Sequence, residues 1–357
     1  LGDVYKRQVY IDRLSRIPAI MEMPYNDIIR KFIDMYAGRL RNQVSFMLSA
    51  CNFYMPIFEE ALDAYGLPLE LRYLPIIESA LNPSAVSRAG ASGLWQFMIG
   101  TGKIYGLESN SLVDERRDPI KATWAAARYL KEMYDIYGDW NLVIAAYNCG
   151  PGTINKAIRR ANGETDYWKI YNYLPKETRG YVPAFIAANY VMTYYCDHNI
   201  CPMETNIPAS TDTVQVNKNL HFEQIADLCN VPLDQIKSLN PQYKKHMIPG
   251  DSKPYTLRLP IEAISNFIDK QDTIYAHRSN ELFRNRKTVA VKENTPSTRK
   301  ATTAVAGKGK LSYYTIKSGD TLSTIAGKYG VSVKDIQRWN GMSNTKIAAG
   351  KRLKIYK

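Results

Sequence analysis

The sequence predicts a mainly α-helical domain followed by two small modules, each built as strand, helix, helix and strand (βααβ). Between Tyr54 and about Tyr195, apolar residues recur at helical spacing between polar breaks, and strand patterns are weak. After Pro208, two segments with strand-like alternation flank two short helical segments. The same order returns between residues 313 and 356, so the chain contains a weak internal repeat.

The N-terminal region predicts a helical arm that precedes the main domain. Residues 3–8 read DVYKRQ, which matches the translation of a transposon end used in sequencing libraries. We therefore expect residues 1–8 to be an assembly artefact rather than part of the fold. In residues 9–53, apolar side chains such as Ile29 and Ile33 recur at helix spacing, which predicts an amphipathic arm.

Helix boundaries can be assigned within the main domain, which we place at residues 54–207. One helix is expected to stop at Gly66, because glycine ends helices readily. Another should begin at Asp118, with the aspartate as N-cap and Pro119 in the first helical position. That helix continues to Gly138, where glycine again predicts the end.

The rest of the chain divides into a module, a linker and a second module. Residues 208–262 predict a degenerate first module, and its segment IADLCNVPLDQIKSLNP aligns with IAGKYGVSVKDIQRWNG in the last module. Residues 263–310 are rich in basic residues and have no periodic apolar face toward their end, which indicates a flexible linker. Residues 311–357 form the last predicted module.

Composition excludes several functional classes. The formal net charge of +13 would suit a polyanionic partner, but no nucleic-acid-binding motif accompanies it, so we expect no nucleic-acid partner. The five cysteines and four histidines form no metal-binding pattern, and we expect no metal and no cofactor. No segment is apolar for the ~20 residues of a membrane helix. Cys196 and Cys201 could form a disulfide or remain two free thiols.

Four segments between residues 67 and 183 carry the strongest functional pattern. They are, in order, LPIIESALNPSAVS, GASGLWQFMIGT, AAYNCGPG and LPKETRGYVPAF. Together they resemble the catalytic domain of the soluble-lytic-transglycosylase family, which implies a lysozyme-like fold. The resemblance implies cleavage of the bond between N-acetylmuramic acid and N-acetylglucosamine in peptidoglycan, giving 1,6-anhydro ends without consuming water.

Glu78 is the expected catalytic residue. It follows Leu74, Pro75, Ile76 and Ile77, and a carboxyl group among apolar neighbours has a raised pKa. It could then stay protonated near neutral pH and donate a proton to a leaving oxygen. Taken alone, an ordinary surface glutamate at a helix end would be the favoured interpretation, and the neighbouring motifs reverse that preference.

A second catalytic carboxylate, which most glycosidases need, is not evident. Asp114, Glu115 and Asp118 are candidates, but structural roles are favoured for all three. The resemblance accounts for the gap, because enzymes of this family use one glutamate first as acid and then as base.

The resemblance also implies substrate-binding residues at matching positions. These are Ser79, Ser87, Gln96, Met98, Tyr147, Asn148 and Tyr181, with Glu177 as a supporting residue. The hydroxyl of Tyr147 is expected to reach toward the catalytic carboxyl, whereas Tyr181 and Glu177 are expected to support the site from behind. Trp95 stands where methionine is commoner in the family, and ordinary core packing is an equal alternative for Trp95, Met98 and Tyr181.

The last module resembles LysM domains, which bind glycans that contain N-acetylglucosamine. The resemblance implies a sugar groove formed by two loops, with glycan-binding candidates Gly319, Asp320, Thr321, Met342, Asn344 and Ile347. The module at residues 208–262 lacks the Gly-Asp turn, which leaves its sugar binding open.

The expected function is therefore a peptidoglycan lytic transglycosylase of the cell envelope. We expect export to the periplasm, with membrane association through a lipid anchor upstream of residue 1. A hydrolytic muramidase on the same fold is one alternative, and a non-catalytic wall-binding protein is another.

Overall fold

The structure, a computed structural model, describes residues 2–205, 207–208, 210–283, 311–317, 320–340, 342, 345, 347–348 and 350–356. It divides into two compact units, Leu1–Asn294 and Thr295–Lys357, which are described separately below.

The first unit contains most of the helices. Its α-helices are α1 (Gly2–Ser15), α2 (Asp27–Ala37), α3 (Arg41–Ala64), α4 (Leu74–Ser79), α5 (Ile99–Ile104), α6 (Pro119–Tyr137), α7 (Trp140–Cys149), α8 (Pro151–Arg160), α9 (Tyr167–Ile170), α10 (Lys176–Arg179), α11 (Tyr181–Thr193), α12 (Phe222–Cys229), α13 (Leu233–Leu239), α14 (Ile261–Asp269), α15 (Gln271–Ala276) and α16 (Ser279–Leu282). Short 3-10 turns occupy Leu69–Tyr73, Glu115–Arg117, Tyr171–Tyr173, Cys196–His198 and Lys244–His246. Its strands are β1 (Thr211–Val216), β2 (Asn219–His221), β3 (Met247–Pro249) and β4 (Tyr255–Pro260).

The predicted helix ends in the main domain are confirmed. The side chain of Asp118 accepts hydrogen bonds from the amides of Ile120 and Lys121, so it caps α6 as expected. Gly138 ends α6 in the left-handed region at φ 62°, which glycine adopts without steric cost.

The arm and the catalytic helices form one folding unit rather than two neighbours. The boundary expected between residues 53 and 54 lies inside α3, a continuous helix of 24 residues. Ile29, Ile33 and Met47 of the arm share a single hydrophobic core with Phe185 of α11. Residues 3–8, the suspected artefact, are exposed on α1, and burial begins at Tyr10.

A buried ion pair organises the loop between α5 and α6. The guanidinium of Arg116 pairs with Asp114 at 2.7 Å, and both side chains are almost fully buried. Arg116 also donates to the carbonyl oxygens of Gly90 and Phe97 at 2.8 and 2.9 Å. Because the pair is buried and fully hydrogen-bonded, it holds the loop of residues 90–97 in a defined conformation.

Residues 211–283 form the module that follows the catalytic helices. Strand β1 pairs antiparallel with β4, and β2 pairs antiparallel with β3. Helices α12 and α13 follow β2 and precede β3 in sequence, so the expected strand, helix, helix, strand order is present with an extra short strand pair.

A loop of the catalytic domain completes the core of this module. Leu112 and Val113 are buried in the same cluster as Phe222 and Leu257 of the module. Two main-chain hydrogen bonds also cross the junction, from the amide of Asp114 to the carbonyl of residue 242 and from the amide of residue 244 to Leu112, at 2.8 and 2.6 Å. The module and the catalytic domain are thus joined by a shared core.

The prediction that a linker begins at residue 263 was wrong. Residues 261–282 form α14, α15 and α16, and Ala263, Phe267 and Ile274 are buried against the module. These apolar residues stabilise the helices by burial, which a compositional reading of a basic segment overlooks. Residues 284–310 of the predicted linker lie outside the described residues.

The second unit has the expected order. Strand β5 (Leu311–Thr315) pairs antiparallel with β6 (Arg352–Tyr356), and α17 (Leu322–Tyr329) and α18 (Val333–Asn340) lie between them in sequence. Ile325, Ile336 and Trp339 belong to its core, which is made of residues of this unit alone.

Three further findings concern the described residues. No helix among them combines the length and apolarity needed to cross a membrane. In the same part of the chain, no three histidine, cysteine or acidic side chains come together in a way that could hold a metal ion. Cys196 and Cys201 are exposed free thiols in the structure.

Candidate active site

Glu78 lies at the end of a short helix beside an open cleft of about 410 Å³. Helix α4 stops directly after it because Ala80 and Leu81 both take left-handed conformations, at φ 52° and 58°. Two consecutive non-glycine residues in this region are costly, and such strain is found where a structure must hold a particular geometry. The sharp turn leads residues 85–87 along the rim of the cleft.

The surroundings of Glu78 raise the pKa of its carboxyl group to about 7. Burial is the main cause, because the charged form loses solvation, and the nearby Glu177 carboxylate adds to the rise. A hydrogen bond from Tyr181 acts in the opposite direction by stabilising the ionised carboxylate. The group can therefore exist in both protonation states near neutral pH.

Tyr181 contacts the catalytic candidate directly. Its hydroxyl donates a hydrogen bond to Oε1 of Glu78. Burial, together with the neighbouring Glu78, holds the pKa of this phenol well above its ordinary range, so it remains a donor. This bond fixes one carboxyl oxygen of Glu78 within the protein.

The structure corrects the role expected of Tyr147. Its hydroxyl donates to the main-chain oxygen of Trp95 at 2.7 Å rather than to Glu78. Glu78 lies close enough to contribute to a raised pKa of Tyr147, although burial is the larger cause. Tyr181, expected to bind substrate or to support the site from behind, is the tyrosine that contacts the carboxyl.

Two of the expected substrate-binding residues have structural contacts of their own. The hydroxyl of Ser79 lies 3.0 and 2.9 Å from the carbonyl oxygens of Pro75 and Leu94, which ties α4 to the neighbouring loop. The side-chain oxygen of Asn148 accepts a hydrogen bond from Thr178 at 2.9 Å. That bond joins the end of α7 to α10, the helix that carries Glu177.

Gln96 and Ser87 both line the cleft beside Glu78. The amide of Gln96 donates to the carbonyl oxygens of Gly93 and Ala85, at 2.8 and 3.2 Å, which leaves its side-chain oxygen available. The hydroxyl oxygen of Ser87 accepts from the amide of Ala91 at 3.0 Å. Both residues therefore brace the rim of the cleft while facing it.

Trp95 and Met98 differ in their surroundings. Trp95 is fully buried, and its ring nitrogen donates to the hydroxyl of Thr123 at 2.9 Å, so core packing is its role. Met98 is exposed at the start of α5, but it is not among the residues that line the cleft around Glu78.

The three other carboxylates considered for catalysis are occupied elsewhere. Asp114 pairs with the buried Arg116, Asp118 caps α6, and Glu115 pairs with Lys121. None of them lines the cleft at Glu78. The structural alternative for all three is therefore the correct one.

Sequence reasoning missed one wall of the cleft. Four residues of the arm line it: Tyr36, Leu40, Gln43 and Met47. Helical spacing in the arm indicated a buried face that includes Tyr36, but nothing in the pattern indicated which surface that face would meet.

In the second unit, two of the proposed glycan-binding residues shape a turn. The carboxylate of Asp320 accepts hydrogen bonds from the backbone amide of Lys317 and from the hydroxyl of Tyr314, both at 2.8 Å. The hydrogen bond from the Lys317 amide is the main cause of the lowered pKa of Asp320. Thr321 caps α17 through its side chain.

The remaining glycan-binding candidates divide into two groups. Met342 and Ile347 are partly buried against the core of the second unit. Gly319 and Asn344 lie outside the described residues.

Comparison with family models assigns three segments of the chain. The Transglycosylase SLT domain matches residues 55–170. The LysM-like domain of the lytic transglycosylase MltD matches residues 210–276, and the LysM domain matches residues 314–355.

Two enzymes of Escherichia coli (strain K12) are among the relatives. Membrane-bound lytic murein transglycosylase D is 31% identical over 339 residues, which cover 94% of this chain and 70% of the relative. Soluble lytic murein transglycosylase is 33% identical over 124 residues, covering 33% of this chain and 19% of that protein.

Among solved structures, the 70-kDa soluble lytic transglycosylase from Escherichia coli is similar to part of the chain. It is 29% identical, with a TM-score of 0.35, over 40% of this chain. The chain spans about a quarter of the length of that protein, 24%.

Proposed function

The chain belongs to the family of lytic murein transglycosylase D, and on that premise we propose that Glu78 serves as both acid and base in the cleavage of peptidoglycan glycan strands. The bond cleaved is the β-1,4 bond between N-acetylmuramic acid and N-acetylglucosamine. The observation that carries the proposal is a carboxyl group whose pKa is about 7, in a cleft lined by no second carboxylate among the described residues.

In the first step, protonated Glu78 acts as the acid. It donates its proton to the glycosidic oxygen as the bond from C1 of N-acetylmuramic acid breaks, so N-acetylglucosamine leaves with a free 4-hydroxyl group. The N-acetyl group of the muramic acid assists by stabilising the positive charge that develops at C1. Because Tyr181 engages Oε1, the other carboxyl oxygen is the one available for proton transfer.

In the second step, Glu78 acts as the base. Its carboxylate takes the proton of the C6 hydroxyl group, and O6 then attacks C1 of the same sugar. The product is a 1,6-anhydro ring, Glu78 regains its starting proton, and no water is consumed. The hydrogen bond from Tyr181 favours the preceding acid step instead, because it stabilises the carboxylate that remains after proton donation.

The test is product analysis of purified sacculi digested in ¹⁸O-labelled water. We expect muropeptides that end in 1,6-anhydro-N-acetylmuramic acid, lighter by one water than the reducing sugar and without label. Labelled reducing ends would mean hydrolysis by a muramidase and would refute the proposal.

A variant of the catalytic residue completes the test. Glu78→Gln keeps the shape of the side chain but cannot transfer the proton, so the rate at which anhydro products form should fall by at least ~10²–10⁴-fold. Glu60→Gln, at an exposed position on α3, is the matched control and should retain activity. Equal activity of the two variants would exclude the role given to Glu78.

We also propose that the protein acts in the cell envelope, held there by an N-terminal lipid anchor. The premise is the relative, which is named as membrane-bound. The full reading frame of the gene should carry an export signal upstream of Leu1. A frame that starts near Val9 without a leader would contradict this proposal.

A further inference from the structure

The N-terminal arm forms one wall of the cleft that holds Glu78. Tyr36 lies at the end of α2, Leu40 in the turn that follows, and Gln43 and Met47 one helical turn apart on α3. All four precede residues 55–170, the part of the chain that matches the Transglycosylase SLT domain. The cleft is therefore completed by residues from outside that domain.

Close packing fixes the position of the arm. Helix α2 packs along α11, and a side-chain carbon added at Gly180 would lie 3.2 Å from the ring of Phe32. Phe32 and Tyr36 are one turn apart on the same face of α2, and Tyr181 follows Gly180 directly. The contact of Phe32 with Gly180 thus places Tyr36 near Tyr181, close enough to contribute to the raised pKa of the Tyr181 phenol, of which burial is the main cause.

Tyr36 presents an unused polar group to the cleft. The residue is 7% exposed, and burial raises the pKa of its hydroxyl to about 12, so the group stays protonated. That hydroxyl makes no hydrogen bond to the described residues of the chain. The hydroxyl is not one of the buried side-chain atoms that lack a partner, so it can form its hydrogen bond with a ligand or water in the cleft.

Gln43 adds a second polar group on the same wall. Its side chain is exposed, lines the cleft and makes no hydrogen bond within the described parts of the chain. An amide can donate and accept at once, which suits sugar hydroxyl and N-acetyl groups. Leu40 and Met47 line the same wall, and the half-buried Leu40 offers an apolar surface, whereas Met47 is buried.

We propose that the hydroxyl of Tyr36 and the amide of Gln43 bind the glycan strand beside the bond that Glu78 cleaves. The arm is then a substrate-binding element and not only a structural support for the catalytic helices. This inference rests on the proposed function of the cleft. It concerns affinity for the glycan, whereas the chemistry is assigned to Glu78.

The experiment measures binding and turnover with soluble, uncrosslinked peptidoglycan glycan strands. Tyr36→Phe and Gln43→Ala are compared with two controls from the same arm, Tyr25→Phe and Asn42→Ala. Tyr25 has a buried hydroxyl without a partner and does not line the cleft, and Asn42 is an exposed amide beside Gln43. Loss of one hydrogen bond to the substrate should raise KM roughly tenfold with kcat unchanged.

The same substitutions in the Glu78→Gln background separate binding from catalysis. Calorimetric titration with the glycan strands should give a Kd that is roughly tenfold weaker for Tyr36→Phe and Gln43→Ala. The two controls should bind like their parent, and the circular dichroism spectrum of every variant should match that of the parent.

Unchanged Kd and KM for both cleft variants would overturn the inference. A shifted pH profile of Tyr36→Phe without a change in KM would overturn it as well, since Tyr36 would then act through Tyr181. If the unsubstituted protein binds glycan through the arm yet releases no anhydro products, the proposed function fails and the inference stands.

Discussion

Replacing Glu78 by glutamine should stabilise the folded protein, and the gain should depend on pH. The ordinary pKa of a glutamate, 4.5, rises to about 7 for Glu78 in the folded state. Each pH unit of such a difference corresponds to about 1.4 kcal/mol. Ionising Glu78 in the folded protein therefore reduces the free energy of unfolding by about 3 kcal/mol, a cost that glutamine does not incur.

The sign of the pH dependence follows from the raised pKa. Below pH 4.5 the carboxyl is protonated in both the folded and the unfolded state, so the protein and its Glu78→Gln variant should differ by a constant amount. Between pH 4.5 and 7 the unfolded state ionises first, and the unsubstituted protein loses stability relative to the variant. Above pH 7 the difference should reach its plateau.

The assay is thermal unfolding of both proteins by differential scanning calorimetry at a series of pH values from 4 to 9. For a unit of this size, about 3 kcal/mol corresponds to a rise in Tm of roughly 5 °C at the alkaline plateau. Glu60→Gln, at an exposed site, controls for the chemical change itself. A difference in Tm between Glu78→Gln and the unsubstituted protein that does not vary with pH would refute the raised pKa.

Three more predictions concern the neighbours of the site and the second unit. Tyr181→Phe removes a hydrogen bond that lowers the pKa of Glu78, so the alkaline limb of the pH–activity profile should move to higher pH. Glu177→Gln removes a charge that raises this pKa, so the same limb should move to lower pH. Shifts of both variants in the same direction would contradict the assigned causes. Deleting Lys310–Lys357 should weaken sedimentation with insoluble peptidoglycan yet leave cleavage of short soluble glycans nearly unchanged. The reason is that the tethered module raises the effective concentration of the catalytic domain at the polymer. Equal sedimentation of the truncated and the full-length protein would exclude that role. Gly93→Ala should abolish soluble expression, because the φ of Gly93 is 88° and a side-chain carbon there would lie 1.7 Å from the carbonyl oxygen of Arg116. A soluble Gly93→Ala variant with a normal circular dichroism spectrum would instead show that the loop can relax.

The environment of the catalytic candidate was predictable where it depended on local sequence. Leu74–Ile77 precede Glu78 directly, so a carboxyl with restricted solvation could be expected from the sequence alone. The cap at Asp118 was predictable for the same reason, because a capping side chain bonds amides two and three residues away.

The contacts that complete the site join distant parts of the chain. Tyr181 lies 103 residues from Glu78, and the hydroxyl of Tyr147 reaches a carbonyl 52 residues away, so no local pattern could assign one tyrosine to the carboxyl and the other to the main chain. Tyr36 was hidden for another reason. Helical periodicity predicts that a face is covered, but it does not predict the surface that covers it.

The linker prediction shows the weakness of composition as a guide. Charged residues are frequent after residue 263, but a few well-spaced apolar side chains are enough to dock α14 and α15 on the module. Phe267 lies on α14 and Ile274 lies on α15. Their spacing of seven residues equals about two turns of one helix, but two separate helices carry them.

The catalytic domain and the module at residues 210–276 share a core. Recombination therefore cannot readily replace the module without disturbing the catalytic domain. Leu112 and Val113 belong to the catalytic domain in sequence and to the module in packing. Exchange of the module for an unrelated one would leave both side chains in water, a loss of about 3–6 kcal/mol, and would break two main-chain hydrogen bonds. We therefore expect the module to be inherited together with the enzyme, and limited proteolysis between them to release no stable catalytic fragment.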